Sequence, residues 1–186
     1  MENIDLVPNL LKEFPLKPGK IGRYSISELW GCLNISRTGK PYKTPEQYLK
    51  GEEFDFESAM RMFKGIWKHK MVQNLMKDEW VIEKKKEYKH NDWVIVGMAD
   101  GIEKKRDLPI EIKTSDKLIT QAKSWHVFQL KMYLSMFKKE MGVVVQPVTT
   151  KTGFYLKVVG EVKRDDKWFG KQLDLVEEFH QKLLKI

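Results

Sequence analysis

The chain has 186 residues, 41% of them hydrophobic and 32% charged, which suits one globular domain with a core of its own. Its formal charge of +8 admits a polyanionic partner, either nucleic acid or an anionic membrane surface. Cys32 is the sole cysteine, which excludes an intrachain disulfide and a cysteine-ligated zinc or iron–sulfur site within one chain.

Residues 1 to about 23 carry three prolines and no clear period, and read as an irregular N-terminal arm of a single domain spanning 1–186. The opening MENIDLVPNL lacks a basic stretch followed by an apolar one, so no signal peptide is expected. No apolar run approaches the roughly 18 residues of a membrane span. The expectation is a cytoplasmic, intracellular protein with no membrane attachment.

SISELWGCLN predicts a short helix capped by Ser25 or Ser27, and ISRTGKPYKTPEQYLKGEE predicts a loop with a short helical piece. FDFESAMRMFKGIWKHKMVQNLMKDEW has helical spacing, with Phe56, Met60, Phe63, Trp67, Met71 and Leu75 as the expected buried stripe. VIEKKKEY and WVIVGMADGI, separated by KHND, predict a hairpin, and LPIEIKTS follows a charged turn as a third strand. A second long helix, apolar on most sides, is expected from about Lys117 to Lys139. GVVVQPV and GFYLKVVGEV predict two more strands. An amphipathic helix closes the chain from about Asp165 to Leu184, its stripe being Phe169, Leu173, Val176, Phe179 and Leu183. This order implies an α/β fold, a mixed central sheet flanked by helices.

One hairpin carries chemistry. In PIEIKTSDK, strand alternation sends Ile110, Ile112 and Thr114 to one face and Glu111 and Lys113 to the other. With the preceding turn centred between Lys105 and Arg106, Asp100 falls opposite Glu111, where facing side chains lie about 4.5–5.5 Å apart. Opposed carboxylates destabilise a sheet unless something neutralises them, and hard oxygens suit Mg²⁺ or Mn²⁺. An exposed hairpin with an idle salt bridge is the plainer alternative.

Three further features weigh against the plainer alternative. His69 sits on the first long helix one turn after Gly65, whose missing side chain would permit close approach of the sheet. Gln129 and Tyr133, at i and i+4 on the second helix, share a face with His126 and need polar partners. The third feature is the order in which these groups follow one another.

GIWKH (65–69), GMAD (97–100), EIK (111–113) and QLKMY (129–133) resemble, in order and spacing, the signature of the RecB-like branch of the PD-(D/E)xK nuclease superfamily. That branch includes the CRISPR-associated exonucleases. Each motif alone says little; the four together are specific.

The resemblance implies a restriction-endonuclease-like core and a Mg²⁺- or Mn²⁺-dependent deoxyribonuclease that hydrolyses phosphodiester bonds. It makes His69, Asp100, Glu111 and the backbone carbonyl of Ile112 metal ligands, with Asp100, Glu111 and Lys113 catalytic. Lys113 would position or deprotonate the attacking water, and Gln129 and Tyr133 would orient the DNA strand.

Exonuclease action on single strands or duplex ends is implied, with endonuclease action on single-stranded DNA also open, as are homo-oligomers and partner proteins. Many relatives hold an iron–sulfur cluster through one cysteine before the core and three after it. Cys32 stands near the first position and none follows, so no cluster is expected. A small nuclease of a virus or other mobile element fits these features. A non-catalytic DNA-binding module and an accessory subunit of a DNA-processing complex are the rival expectations.

Overall fold

The computed structural model describes residues 18–35, 39–51, 55–115 and 117–186, so most of the expected N-terminal arm lies outside the described residues. A three-residue strand that the sequence did not announce, β1 (Arg23–Ser25), leads straight into α1 (Ile26–Leu33). Ser25, rather than Ser27, is the cap. Its hydroxyl accepts from the Glu28 amide while the Glu28 carboxylate accepts from the Ser25 amide at 3.1 Å, a reciprocal capping box. The short helical piece is α2 (Pro45–Lys50), capped by Thr44 and started by a proline.

Then come α3 (Phe56–Met76), β2 (Trp80–His90), β3 (Trp93–Glu103) and β4 (Leu108–Ile112). The second half consists of α4 (Ser124–Phe137), β5 (Met141–Thr149), β6 (Phe154–Lys163) and α5 (Asp166–Leu183). The expected strands are all present. The second long helix starts at Ser124 instead of Lys117, because the residues before it bond the sheet. Ala122 N donates to Val159 O at 2.8 Å, and the Gln146 amide spans Ile119 N and Lys117 O.

The sheet runs β1-β3-β4-β5-β6, with β2 along the other edge of β3. It is mixed, as expected: β1 with β3 and β4 with β5 are parallel, and the remaining pairs are antiparallel. Val144 packs in the larger core with Leu130, Leu134, Val176 and Leu183, whereas Val143 and Val145 join Val72, Trp80, Ile110 and Ile112. Alternate residues of one strand thus enter different cores, so α1, α4 and α5 cover one face of the sheet and α3 the other.

The face of α3 departs from expectation. Its buried residues are Ala59, Val72 and Gln73, while Phe56, Phe63, Trp67 and Leu75 are exposed. The apolar stripe read from periodicity therefore points mostly outward, and a narrower, partly polar face meets the sheet. By contrast, α5 buries Phe169, Val176, Phe179 and Leu183 as its stripe demands. Two polar contacts fasten α5 to the strands: Tyr24 Oη lies 2.6 Å from His180 Nδ1, and Trp93 Nε1 donates to Glu177 at 2.7 Å.

The Tyr24–His180 contact is buried, and His180 Nε2 has no partner of its own. Tyr24→Phe would leave the second ring nitrogen unpaired as well. It should lower stability by about 1–3 kcal/mol, read as a fall in the urea midpoint at unchanged slope. An unaltered midpoint would show that the contact adds nothing to stability.

Candidate active site

Asp100 sits where the sheet opens. The β3–β4 ladder pairs Glu103 with Leu108, Ile102 with Pro109 and Gly101 with Ile110, the register expected from the turn. The next pair would be Asp100 with Glu111, but the ladder stops there. The Asp100 carboxylate substitutes for main chain, its Oδ2 accepting from Ile112 N at 2.7 Å. On the other side the β2–β3 ladder passes from Ile82–Gly101 to Lys84–Ala99, and the intervening pair, Glu83 and Asp100, drops out. Glu83 takes a left-handed φ of 51°, an uncommon state for a residue with a side chain.

Helix α3 attends to what the strands leave. Gln73 Nε2 donates to the main-chain carbonyl of Asp100 at 3.0 Å, and His69 Nδ1 lies 3.6 Å from Asp100 Oδ1. The two residues are four apart and share a helical face. Gly65, one turn earlier, faces Thr114: a Cβ there would lie 3.4 Å from its Oγ1, ordinary contact. The helix approaches the segment after β4, but glycine is not required for it.

On the opposite face of β4, Glu111 is almost fully buried and its Oε1 lies 2.5 Å from Lys113 Nζ. Lys113 donates in turn to Gln129 Oε1 at 2.9 Å and stands 4.4 Å from the centre of the Trp125 ring. Trp125, Gln129 and Tyr133 follow at four-residue intervals, so α4 presents one continuous stripe to the acids. Tyr133 fits beside β3 only because position 97 is glycine. A Cβ there would come within 3.1 Å of the ring and 2.6 Å of Ile26 Cδ1. His126, the third member of the expected polar face, is neutral. It accepts from Lys123 N at 3.2 Å, and burial with the nearby Lys113 and Lys123 charges holds its pKa down at about 4.

Burial, and then the charge of Asp100, push the Glu111 carboxyl up to about 8 despite the opposing pull of Lys113. Burial also holds the Tyr133 phenol well above its ordinary value, with Glu111 and Asp100 adding to the effect. Asp100 and Lys113 thus act on Glu111 in opposite senses, and both acids act on the Tyr133 phenol.

Among the described residues no three His, Cys, Asp or Glu side chains form a ready-made metal cluster. What the site offers is narrower. Glu111 Oε2 is buried with no hydrogen-bond partner, beside a second carboxylate. Orphaned buried acceptors are rare, and an acceptor-only pair of oxygens fits a hard divalent cation.

Of the residues singled out in the sequence, His69, Asp100, Ile112, Glu111, Lys113, Gln129 and Tyr133 are brought together. Sequence reasoning misses Gln73 and Trp125. Each lies one helical turn from a predicted site residue, Gln73 after His69 and Trp125 before Gln129, and that spacing is the signal that could find them. Cys32 is buried in the larger core.

Glu111 generates a pH dependence. Its folded pKa lies above the ordinary 4.5, so between about 4.5 and 8 the folded chain binds more protons than the unfolded one. The lowered pKa of His126 acts in the opposite sense between about 4 and 6.5, so in chelator the fall in stability should appear mainly from about pH 6.5 to 8. Glu111→Gln should remove that fall. Melting temperatures from pH 5 to 8.5, in about half-unit steps, check this; a wild-type profile rising toward pH 8 contradicts it.

No family model and no curated relative matches this sequence. Solved structures do. The crystal structure of SSO0001 aligns with a TM-score of 0.58 at 21% identity, over 94% of this chain and 83% of that one. An alkaline exonuclease, LHK-Exo from Laribacter hongkongensis, aligns with a TM-score of 0.58 at 14% identity, over 89% of each chain. Its complex with dAMP aligns equally well. At these identities the likeness concerns the fold: this chain has the α/β architecture, a mixed sheet flanked by helices, of an alkaline exonuclease.

Proposed function

We propose that the chain is a metal-dependent deoxyribonuclease of the RecB-like branch, an exonuclease hydrolysing phosphodiester bonds of DNA, with Mg²⁺ or Mn²⁺ as cofactor. The observation that carries the reading is Lys113. Its ammonium is held between Glu111 and Gln129, on the strand bonded to Asp100 through Ile112 N. The architecture shared with an exonuclease whose solved complex contains a nucleotide, dAMP, supports it. A module that only binds DNA has no use for a buried carboxylate oxygen without a partner.

Asp100 and Glu111 would hold the cation, with the Ile112 carbonyl and His69 completing the set. Bound there, a divalent cation lowers the pKa of water and offsets charge growing on phosphate. The chain's own groups do the rest. Lys113 Nζ rests against Glu111 and, as an ammonium, orients the attacking water by donating to it. Gln129 fixes that ammonium by accepting its hydrogen bond, and Trp125 screens it from solvent. The Tyr133 hydroxyl stays protonated at neutral pH and so serves as a donor toward the phosphate or the acids.

Lys113→Ala should reduce single-turnover cleavage of labelled oligonucleotides by about 10²–10⁴-fold, and the protein should still fold, with a melting temperature lowered by the loss of Glu111's buried partner. Turnover within a few-fold of wild type would remove its role. Gln129→Ala loosens the ammonium without removing it, so its rate loss should be smaller and accompanied by a shifted pH–rate profile. Glu111→Gln should weaken calorimetric Mn²⁺ binding and cleavage together. Wild-type protein that cleaves equally well in chelator, or not at all with either metal, overturns the reading.

A further inference from the structure

We infer that a basic trough between α3 and the segment after β4 binds a single strand of nucleic acid, with one unpaired base laid on Trp67. The inference rests on the nuclease reading for where the strand leads.

Arg61, Lys64 and Lys68 follow one another at three- and four-residue spacing along α3, and so line one side of a helix. They face Thr114, Ser115 and Lys117 across a cavity of about 340 Å³. A neighbouring cavity of about 550 Å³ shares Lys68, Ser115 and Lys117, which makes the two one continuous trough. Its remaining walls are mostly apolar, Trp67 and Leu118 among them. Among the described residues no carboxylate lines either cavity, although Arg61 is paired with Glu57 at 2.9 Å; a third cavity, over the sheet face near the end of α3, is lined by Glu79, Glu103 and Glu161 together with Arg106.

None of His69, Asp100, Glu111 or Lys113 lines either cavity, but the trough borders the candidate site: Thr114 follows Lys113 directly, and Gly65 lies one helical turn before His69. The apolar part shows what kind of strand fits. Trp67 is 60% exposed and Leu118 59%, two large apolar side chains open to solvent beside the cations. Cations spaced along a trough suit phosphates, and an exposed indole suits the face of an unpaired base. A base in a duplex has its faces covered by neighbours, so the indole selects a single strand.

Anisotropy of a fluorescein-labelled oligothymidylate about twelve nucleotides long, in chelator so that nothing is cut, tests the inference. Trp67→Ala should weaken binding roughly ten- to a hundred-fold, and Trp67→Phe should retain most of the affinity. The double variant Lys64→Ala with Lys117→Ala should lower the slope of log K against log salt by about 1.4, some 0.7 for each phosphate that is no longer neutralised. Unchanged affinity and slope overturn the trough, as does a duplex that binds equally well with the same dependence on Trp67. Wild-type cleavage with Mn²⁺, run in parallel, separates the two readings. Binding that responds as expected without cleavage retains the trough and rejects the nuclease. Cleavage with binding indifferent to the variants does the reverse.

Discussion

Asp100 and Glu111 occupy facing positions at the point where β3 leaves β4, and two carboxylates so placed repel unless a proton or a cation comes between them. The surrounding groups answer that repulsion in different ways. Asp100 spends one oxygen on the Ile112 amide and turns the other toward His69. Glu111 takes the Lys113 ammonium on one oxygen and leaves the other bare. The broken ladders on both sides of Asp100 belong to the same solution, since a fully paired strand would hold its side chain in ordinary alternation. Gln73 then donates to the Asp100 carbonyl where the ladders to both neighbouring strands are interrupted.

The two helices at the site differ in how they support it. Helix α4 is buried on nearly every side, so its polar residues cannot retreat into water and, Ser135 Oγ apart, pair where they stand. That fixes Gln129 on Lys113 and holds the Tyr133 phenol near both acids. Helix α3 covers the other face thinly, with Ala59 and Val72 as its buried apolar residues and His69 and Gln73 reaching the strand. A helix attached this way stabilises the core less than a fully apolar stripe would, and keeps two polar side chains on Asp100.

The same difference explains what can be read from the residues alone. The β3–β4 register follows from alternation and a short turn, because both are local. Gln129 and Tyr133 follow from helical spacing. The buried face of α3 does not, because periodicity assumes that apolar residues seek the core. Here Phe63 and Trp67 face outward while Gln73 faces inward. Strand β1 is three residues long and pairs with β3 from far away in sequence, so no local pattern marks it. Helix α4 begins later than its apolar pattern suggests because the bonds that keep the preceding segment extended come from Gln146 and Val159, which no window around Lys117 contains.

Lys113 has one more consequence. Its ammonium rests on the buried Glu111 carboxyl, so the chain carries its own counter-ion to the acid pair, joined below about pH 8 by a proton. A protein with an internal counter-ion can reach its native fold before any metal arrives. On the proposed reading, assembly and activation are then separate events with separate requirements. Folding asks only for the polypeptide, and ionic supply sets when the folded molecule begins to work.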